Sequence, residues 1–139
     1  MNKTFTLFDL PQIKSKHDFL MHPMELKDII PFEVKRVYFI TDSKTGITGE
    51  HCHYAEEEFF FLIQGTGTLV IDKGEGKEEV RMVGGVKGAY VPAYVWHGFK
   101  DLSSDAIVFA LSSTNYNPDR SDYLEDYQTY LPLRDQHLV

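Results

Sequence analysis

From Val34 onward, apolar residues recur in short runs separated by turn residues. In VKRVYFIT (34–41), Val34, Arg36, Tyr38 and Ile40 alternate with Lys35, Val37 and Phe39. That period of two is the mark of a strand with two unlike faces. EFFFLIQ (58–64) is apolar almost throughout, as a strand covered on both faces would be. A Gln-Gly-Thr-Gly break of hairpin type precedes GTLVID (67–72), and Gly74 and Gly76 mark the turn before EEVRMV (78–83). GAYVP (88–92), HGFKDL (97–102) and DAIVFALSS (105–113) are further strand candidates. Many short strands with glycine-containing turns predict an all-β domain, a sandwich or a small barrel. The pattern changes near the end. DRSDYLEDYQTYL (119–131) spaces Tyr123, Tyr127 and Tyr130, and Leu124, Tyr127 and Leu131, at helical intervals. This predicts one short C-terminal helix, capped by Ser121 or Asp119, with its tyrosines used for packing.

Length and composition narrow the picture. The 139 residues suit a single domain, and 42% hydrophobic with 14% aromatic residues is enough for a real core. A net charge of −7 argues against a broad nucleic-acid footprint, although a few local cations can still hold a phosphorylated small molecule. Cys52 is the only cysteine, which excludes an intrachain disulfide and a cysteine zinc site. No apolar run approaches a membrane span, and the start lacks a secretory signal. The expectation is a cytoplasmic protein.

The candidate chemistry lies in GEHCHYAEEE (49–58). On a strand, His51 and His53 share one face while Cys52 points the other way. Glu58 follows, and His97 stands five residues after Pro92 in PAYVWH. Three imidazoles and a carboxylate turned inward suit a transition metal, and the same groups suit proton transfer. Tyr90, Tyr94 and Trp96 flank Pro92, either lining a pocket or packing in the core. Glu56 and Glu57 read as a solvated turn, and His17, His22 and His137 receive no role.

The spacing His-x-His, four residues, Glu, six residues, Gly65 resembles the first motif of the cupin superfamily, and Pro92 with His97 resembles part of the second. The fold so implied is a β jelly-roll barrel. Longer stretches, PFEVKRVYFITD (31–42), TGEHCHYAEEEFFFLIQGTGTLVIDKG (48–74) and VKGAYVPAYVWHGFKDLSSDAIVFALSSTNYNPDRSDYLEDY (86–127), resemble the sugar-nucleotide 3,4-ketoisomerases. The resemblance runs from about Phe19 to Tyr130. These enzymes act on dTDP-4-keto-6-deoxyglucose on the way to dTDP-3-amino-3,6-dideoxyhexoses for cell-surface glycans such as lipopolysaccharide O-antigen. The resemblance implies histidine acid–base chemistry with no metal or other cofactor, a dTDP-linked 4-keto-6-deoxyhexose as partner, and a homodimer that exchanges N-terminal strands. KTFTLF (3–8) is compatible with such a strand. Two departures stand out: Thr48 replaces the arginine of an Arg-Gly-x-His-x-His motif, and Glu58 replaces a glutamine.

Carried over by position, His51 and His53 are the acid–base pair. A ketone at C4 acidifies the hydrogen on C3, and imidazole titrates close to the working pH. Tyr38 would donate to the enediolate, and Arg36, on the same strand face, would pair with phosphate. Glu58, Tyr90, Trp96 and His97 complete the expected substrate-binding set. A carboxylate at position 58 would raise the pKa of a neighbouring imidazole. The alternative is a metal-dependent cupin enzyme with His51, His53, Glu58 and His97 as ligands. A non-enzymatic sugar-binding cupin is the third reading.

Overall fold

The structure, a computed structural model, describes residues 3–138. Its elements run β1 (Thr6–Asp9), β2 (Ile13–Lys14), β3 (Leu20–Met21), α1 (Leu26–Ile29), β4 (Arg36–Ile40), β5 (Cys52–His53), β6 (Glu58–Gln64), β7 (Thr66–Asp72), β8 (Lys77–Val83), β9 (Lys87–Val91), β10 (Trp96–Lys100), β11 (Ile107–Ser112), β12 (Tyr123–Leu124) and α2 (Tyr127–His137). The expected strands from β4 onward are present, with ends displaced by one or two residues. Among the described residues no helix is long and apolar enough to cross a membrane.

A five-stranded sheet in the order β1-β9-β6-β11-β4 faces a three-stranded sheet in the order β10-β7-β8. The core between them takes Phe60 and Leu62 from β6, Leu69 and Ile71 from β7, Met82 from β8 and Val108 and Ala110 from β11. β6 is apolar on both faces because both are covered. Phe60 and Leu62 enter this core, while Phe59 and Phe61 pack with Leu10, Ile30, Tyr90 and Leu111 under the N-terminal segment. Gly65, at φ 83°, makes the tight link between β6 and β7, and a Cβ there would press on Ala106 at 2.6 Å.

The C-terminal helix lies later than the expected 119–131. Tyr123 and Leu124 instead pair with His53 and Cys52 as a short strand. Asp126, not Ser121 or Asp119, caps the helix, its carboxylate accepting from the Thr129 amide at 2.8 Å. The tyrosine spacing misled because Tyr123 serves the sheet and only Tyr127 and Tyr130 belong to the helix. Those two, with Leu133, cover Cys52 and Trp96.

Asp72, wholly buried at the end of β7, anchors the helix. One carboxylate oxygen accepts from the Gly74 and Gly76 amides at 2.8 and 3.2 Å. The other accepts from the Tyr127 hydroxyl at 2.7 Å and Arg134 Nη1 at 3.1 Å. Replacing Asp72 by alanine strips a buried hydrogen-bonded ion pair of its anion. We expect Asp72→Ala to lower unfolding free energy by about 3–5 kcal/mol in a urea titration, with Tyr127 and Arg134 losing their protection first.

Candidate active site

The two histidines are brought together by three elements. His53 is the second residue of β5 and pairs with Tyr123 of β12. His51 lies one step outside the strand and forms a two-way backbone bridge with His97 of β10, at 3.0 and 2.8 Å. Gly98 permits that bridge, since a Cβ there would sit 2.6 Å from the Gly49 carbonyl oxygen. Across the larger sheet, Glu58, Ser112 and Arg36 lie in register, followed by Phe60, Ala110 and Tyr38. All six face inward, because strand alternation puts every second residue on one side.

Glu58 is the hub. One carboxylate oxygen lies 3.1 Å from His53 Nε2 and 3.2 Å from His97 Nε2. The other accepts from the Tyr38 hydroxyl. The His97 Nδ1 donates to the Val95 carbonyl at 2.9 Å, so both nitrogens of that ring face acceptors. His51 Nε2 and His53 Nε2 are 3.2 Å apart. Glu56, expected on a solvated turn, is buried beside them. Its carboxylate lies 3.0 Å from His53 Nε2, 2.5 Å from Arg36 Nη2 and 2.9 Å from the Thr114 hydroxyl, and it also accepts from Ser112. Asp122, from the segment before β12, places a carboxylate oxygen 3.2 Å from His53 Nδ1 and accepts the Ala55 and Glu56 amides.

These contacts push the two histidines apart. Burial lowers the pKa of His51, and the neighbouring His97 and His53 lower it further. Burial alone would lower His53 too, but the hydrogen bond and charge of Glu58, with Glu56 and Asp122 behind them, raise it. Glu58 is held below the usual carboxylate range: burial opposes this, and the hydrogen bonds and charges of His53 and His97 prevail. Burial and Glu58 drive the Tyr38 phenol well above its ordinary range, so its proton stays on Tyr38 and serves Glu58. The two rings are biased in opposite directions, His51 toward the neutral imidazole and His53 toward the imidazolium.

A cavity of about 480 Å³ opens over this network, lined by Arg36, Tyr38, His51 and His97 among the expected residues. Glu58 and His53 lie beneath its wall. Tyr90 and Trp96, expected at the substrate, belong elsewhere. Tyr90 points to the opposite face of the large sheet, its hydroxyl donating to Glu57 at 2.5 Å. Trp96 packs under α2, its indole donating to Glu50 at 2.7 Å. Each follows from strand parity: Tyr90 alternates with the inward Ala89 and Val91, and Trp96 with the inward His97. The guanidinium of Arg36 pairs through Nη2 with Glu56, while its Nε has no partner among the described residues. Tyr116, Arg120 and Tyr123 also line the cavity and were missed, because they sit in the stretch read as loop and helix start. The ring of Tyr123 stands edge-on to His53 at 4.6 Å.

The nitrogen and oxygen atoms of His51, His53, Glu58 and His97 also lie within 4.8 Å of one another, a donor set suited to a transition-metal ion.

The family model described as FdtA, WxcM-like, C-terminal, matches residues 3–135. A TDP-4-oxo-6-deoxy-alpha-D-glucose-3,4-oxoisomerase from Aneurinibacillus thermoaerophilus is 34% identical over 102 residues, covering 73% of this chain and 72% of its own length. The structure of WlaRA, a TDP-fucose-3,4-ketoisomerase from Campylobacter jejuni, superposes with a TM-score of 0.81 at 26% identity, covering 97% of this chain and 98% of that one. A mutant of the 3,4-ketoisomerase QdtA from Thermoanaerobacterium thermosaccharolyticum, in complex with TDP-4-keto-6-deoxyglucose, shares the fold with a TM-score of 0.85 at 22% identity, covering 100% and 99%.

Side-chain NMR of the histidines tests the electrostatics. A raised group keeps its proton above its ordinary pKa, and a lowered one loses it below. His53 is therefore expected to remain an imidazolium above pH ~6.5, and His51 to remain neutral below it. Titration of both rings together near that pH would contradict the assignment.

Proposed function

The chain belongs to the FdtA, WxcM-like, C-terminal family, with a jelly-roll cupin fold, and on that premise we propose that it is a sugar-nucleotide 3,4-ketoisomerase converting dTDP-4-keto-6-deoxy-D-glucose to a dTDP-3-keto-6-deoxyhexose. The observation that carries this reading is the contact of His51 with His53 at 3.2 Å beneath the cavity, the first with its pKa lowered and the second with its pKa raised. The 3-ketone so formed is the carbonyl that a transaminase needs to make a 3-amino sugar. The enzyme would work on the nucleotide-sugar pool of the cytoplasm.

The reaction is an internal oxidation and reduction. His51, on the cavity wall, takes the proton from C3. The C–H electron pair becomes the C3–C4 double bond, and the C4 carbonyl oxygen becomes the enediolate oxygen. The imidazolium of His53 supplies the compensating positive charge and exchanges protons with His51 across their contact. The proton on the C3 oxygen is lost as the C3 ketone forms, the C4 oxygen takes a proton in its place, and delivery of a second proton to C4 completes the transfer. C3 is then oxidised to the ketone, C4 is reduced to the carbinol, and no external oxidant enters. Tyr38 takes part by holding Glu58 ionised opposite His53 and His97. Glu58 therefore acts through the histidines.

The second reading rests on the donor set of His51, His53, Glu58 and His97. A metal held there would polarise the substrate carbonyl as a Lewis acid. One experiment separates the readings. In deuterated water, with chelator present, the enzyme is expected to place deuterium at C4 of a 3-keto product, and His51→Asn to lower kcat by about 10²–10⁴-fold. Activity abolished by chelator and restored by stoichiometric metal would favour the second reading, and absence of exchange without chelator would sink both.

The partner surface follows from what the N-terminal segment leaves uncovered. Val37, Phe39 and Ile63 are 56%, 66% and 50% exposed on the outer face of the large sheet, and the β2–β3 hairpin exposes Ile13, Phe19, Leu20 and Met21. A second copy of the chain would bury this apolar surface, with the N-terminal strands exchanged. The wild-type protein is expected to run as a dimer in light scattering and Phe39→Glu as a monomer; a wild-type monomer at micromolar concentration would refute the assembly.

A further inference from the structure

A nucleoside-diphosphate substrate brings two phosphates to a cavity mouth on a chain of net charge −7. Two guanidinium groups line the cavity, those of Arg36 and Arg120. They are not equivalent. Arg36 is locked inward: its Nη2 lies 2.5 Å from Glu56 and 3.4 Å from Ser112, and its side chain is 18% exposed beside a Glu56 that is 3% exposed. Its charge is matched by the buried Glu56 carboxylate, so a phosphate that recruited Arg36 would compete with a buried ion pair. Thr48, on the opposite wall, contributes no charge, and its hydroxyl accepts from the Phe99 amide at 3.0 Å.

Arg120 has the opposite character. Its backbone sits at φ 56°, in the left-handed region that residues with a Cβ enter only under strain. The turn is held by the Arg120 amide bonded to Asn117 and the Tyr123 amide bonded to Arg120, at 3.1 Å each. This conformation lays the guanidinium over the Tyr123 ring, 4.0 Å from its centroid, and Tyr123 in turn abuts His53 and His51. The only carboxylate paired with Arg120 among the described residues is Glu125, on a side chain 57% exposed, and the Arg120 side chain is itself 47% exposed. An exposed ion pair of this kind is weak and exchangeable. A planar fork of donors, stacked on an aromatic ring at the rim of the pocket, matches the bidentate geometry of phosphate.

We propose that Arg120, stacked on Tyr123, is the diphosphate-binding residue of the cavity, with Glu125 as the counter-ion that the incoming diphosphate displaces. The proposal rests on the ketoisomerase reading for its ligand and deepens it. It assigns substrate grip to the segment between β11 and β12, whereas proton transfer belongs to β5 and the histidine network. The same segment carries Asp122 and Tyr123, so the arginine stands beside residues that meet the histidine pair.

The test uses TDP, which lacks the reacting sugar, and calorimetry on the intact protein. Arg120→Gln is expected to weaken TDP binding by at least about ten-fold and to raise KM for the sugar nucleotide by a similar factor, with kcat within about three-fold. Arg120→Lys should recover part of the affinity, as a point charge without the fork. Glu125→Gln should bind TDP as tightly as the wild type or more so, because it removes a competitor. TDP affinity and KM unchanged in Arg120→Gln would overturn the proposal. So would a loss in Glu125→Gln as large as that in Arg120→Gln, since the pair would then serve only to shape the turn. The two readings fail separately. A protein that binds TDP through Arg120 but exchanges no deuterium keeps this inference and loses the reaction; one that isomerises the sugar regardless of Arg120 does the reverse.

Discussion

A carboxylate buried to 1% exposure at the start of β6 is the constraint around which this protein is arranged. Glu58 cannot remain ionised in an apolar sandwich without donors on all sides. It obtains them from His53 on β5, His97 on β10 and Tyr38 on β4, three strands that share no hairpin. Satisfying one charge therefore ties the small β5 segment and both large sheets to a single point. The same ties fix ring orientation, which proton transfer requires.

Around that point the charges alternate. Arg36 pairs with Glu56, Glu56 with the His53 imidazolium, His53 with Glu58, and Glu58 with His97. Within this chain of contacts Glu58 and His53 hold each other in the charged form against the effect of burial. His51 falls outside the alternation. Burial, and then the two other imidazoles it meets, push it toward the neutral form. Two histidines separated by one residue thus acquire opposite pKa shifts from a difference in neighbours.

Much of this was legible in the chain. The strands from β4 to β11 follow from alternation and turn residues, and His51, His53, Glu58 and His97 were singled out by type and spacing before any geometry. Other features were not. Glu56 looked like surface because it adjoins two more glutamates, yet Arg36 and Ser112, far away in sequence, draw it inside. Tyr90 and Trp96 looked like pocket aromatics because they flank Pro92, but their neighbours in the alternation face the core and turn these two away. Arg120, Asp122 and Tyr123 sat in a tyrosine spacing that reads equally well as a helix start.

The sequence by itself determined the all-β class, the identity of the titratable cluster and the family to which it belongs, because these depend on local period and on motifs within short spans. Only the tertiary structure decided which histidine is pushed toward the neutral form, which arginine is buried against a carboxylate and which is exposed, and which aromatics meet the cavity. Those properties are set by burial and by charges contributed from strands distant in the chain, and neither period nor spacing encodes the distance between them.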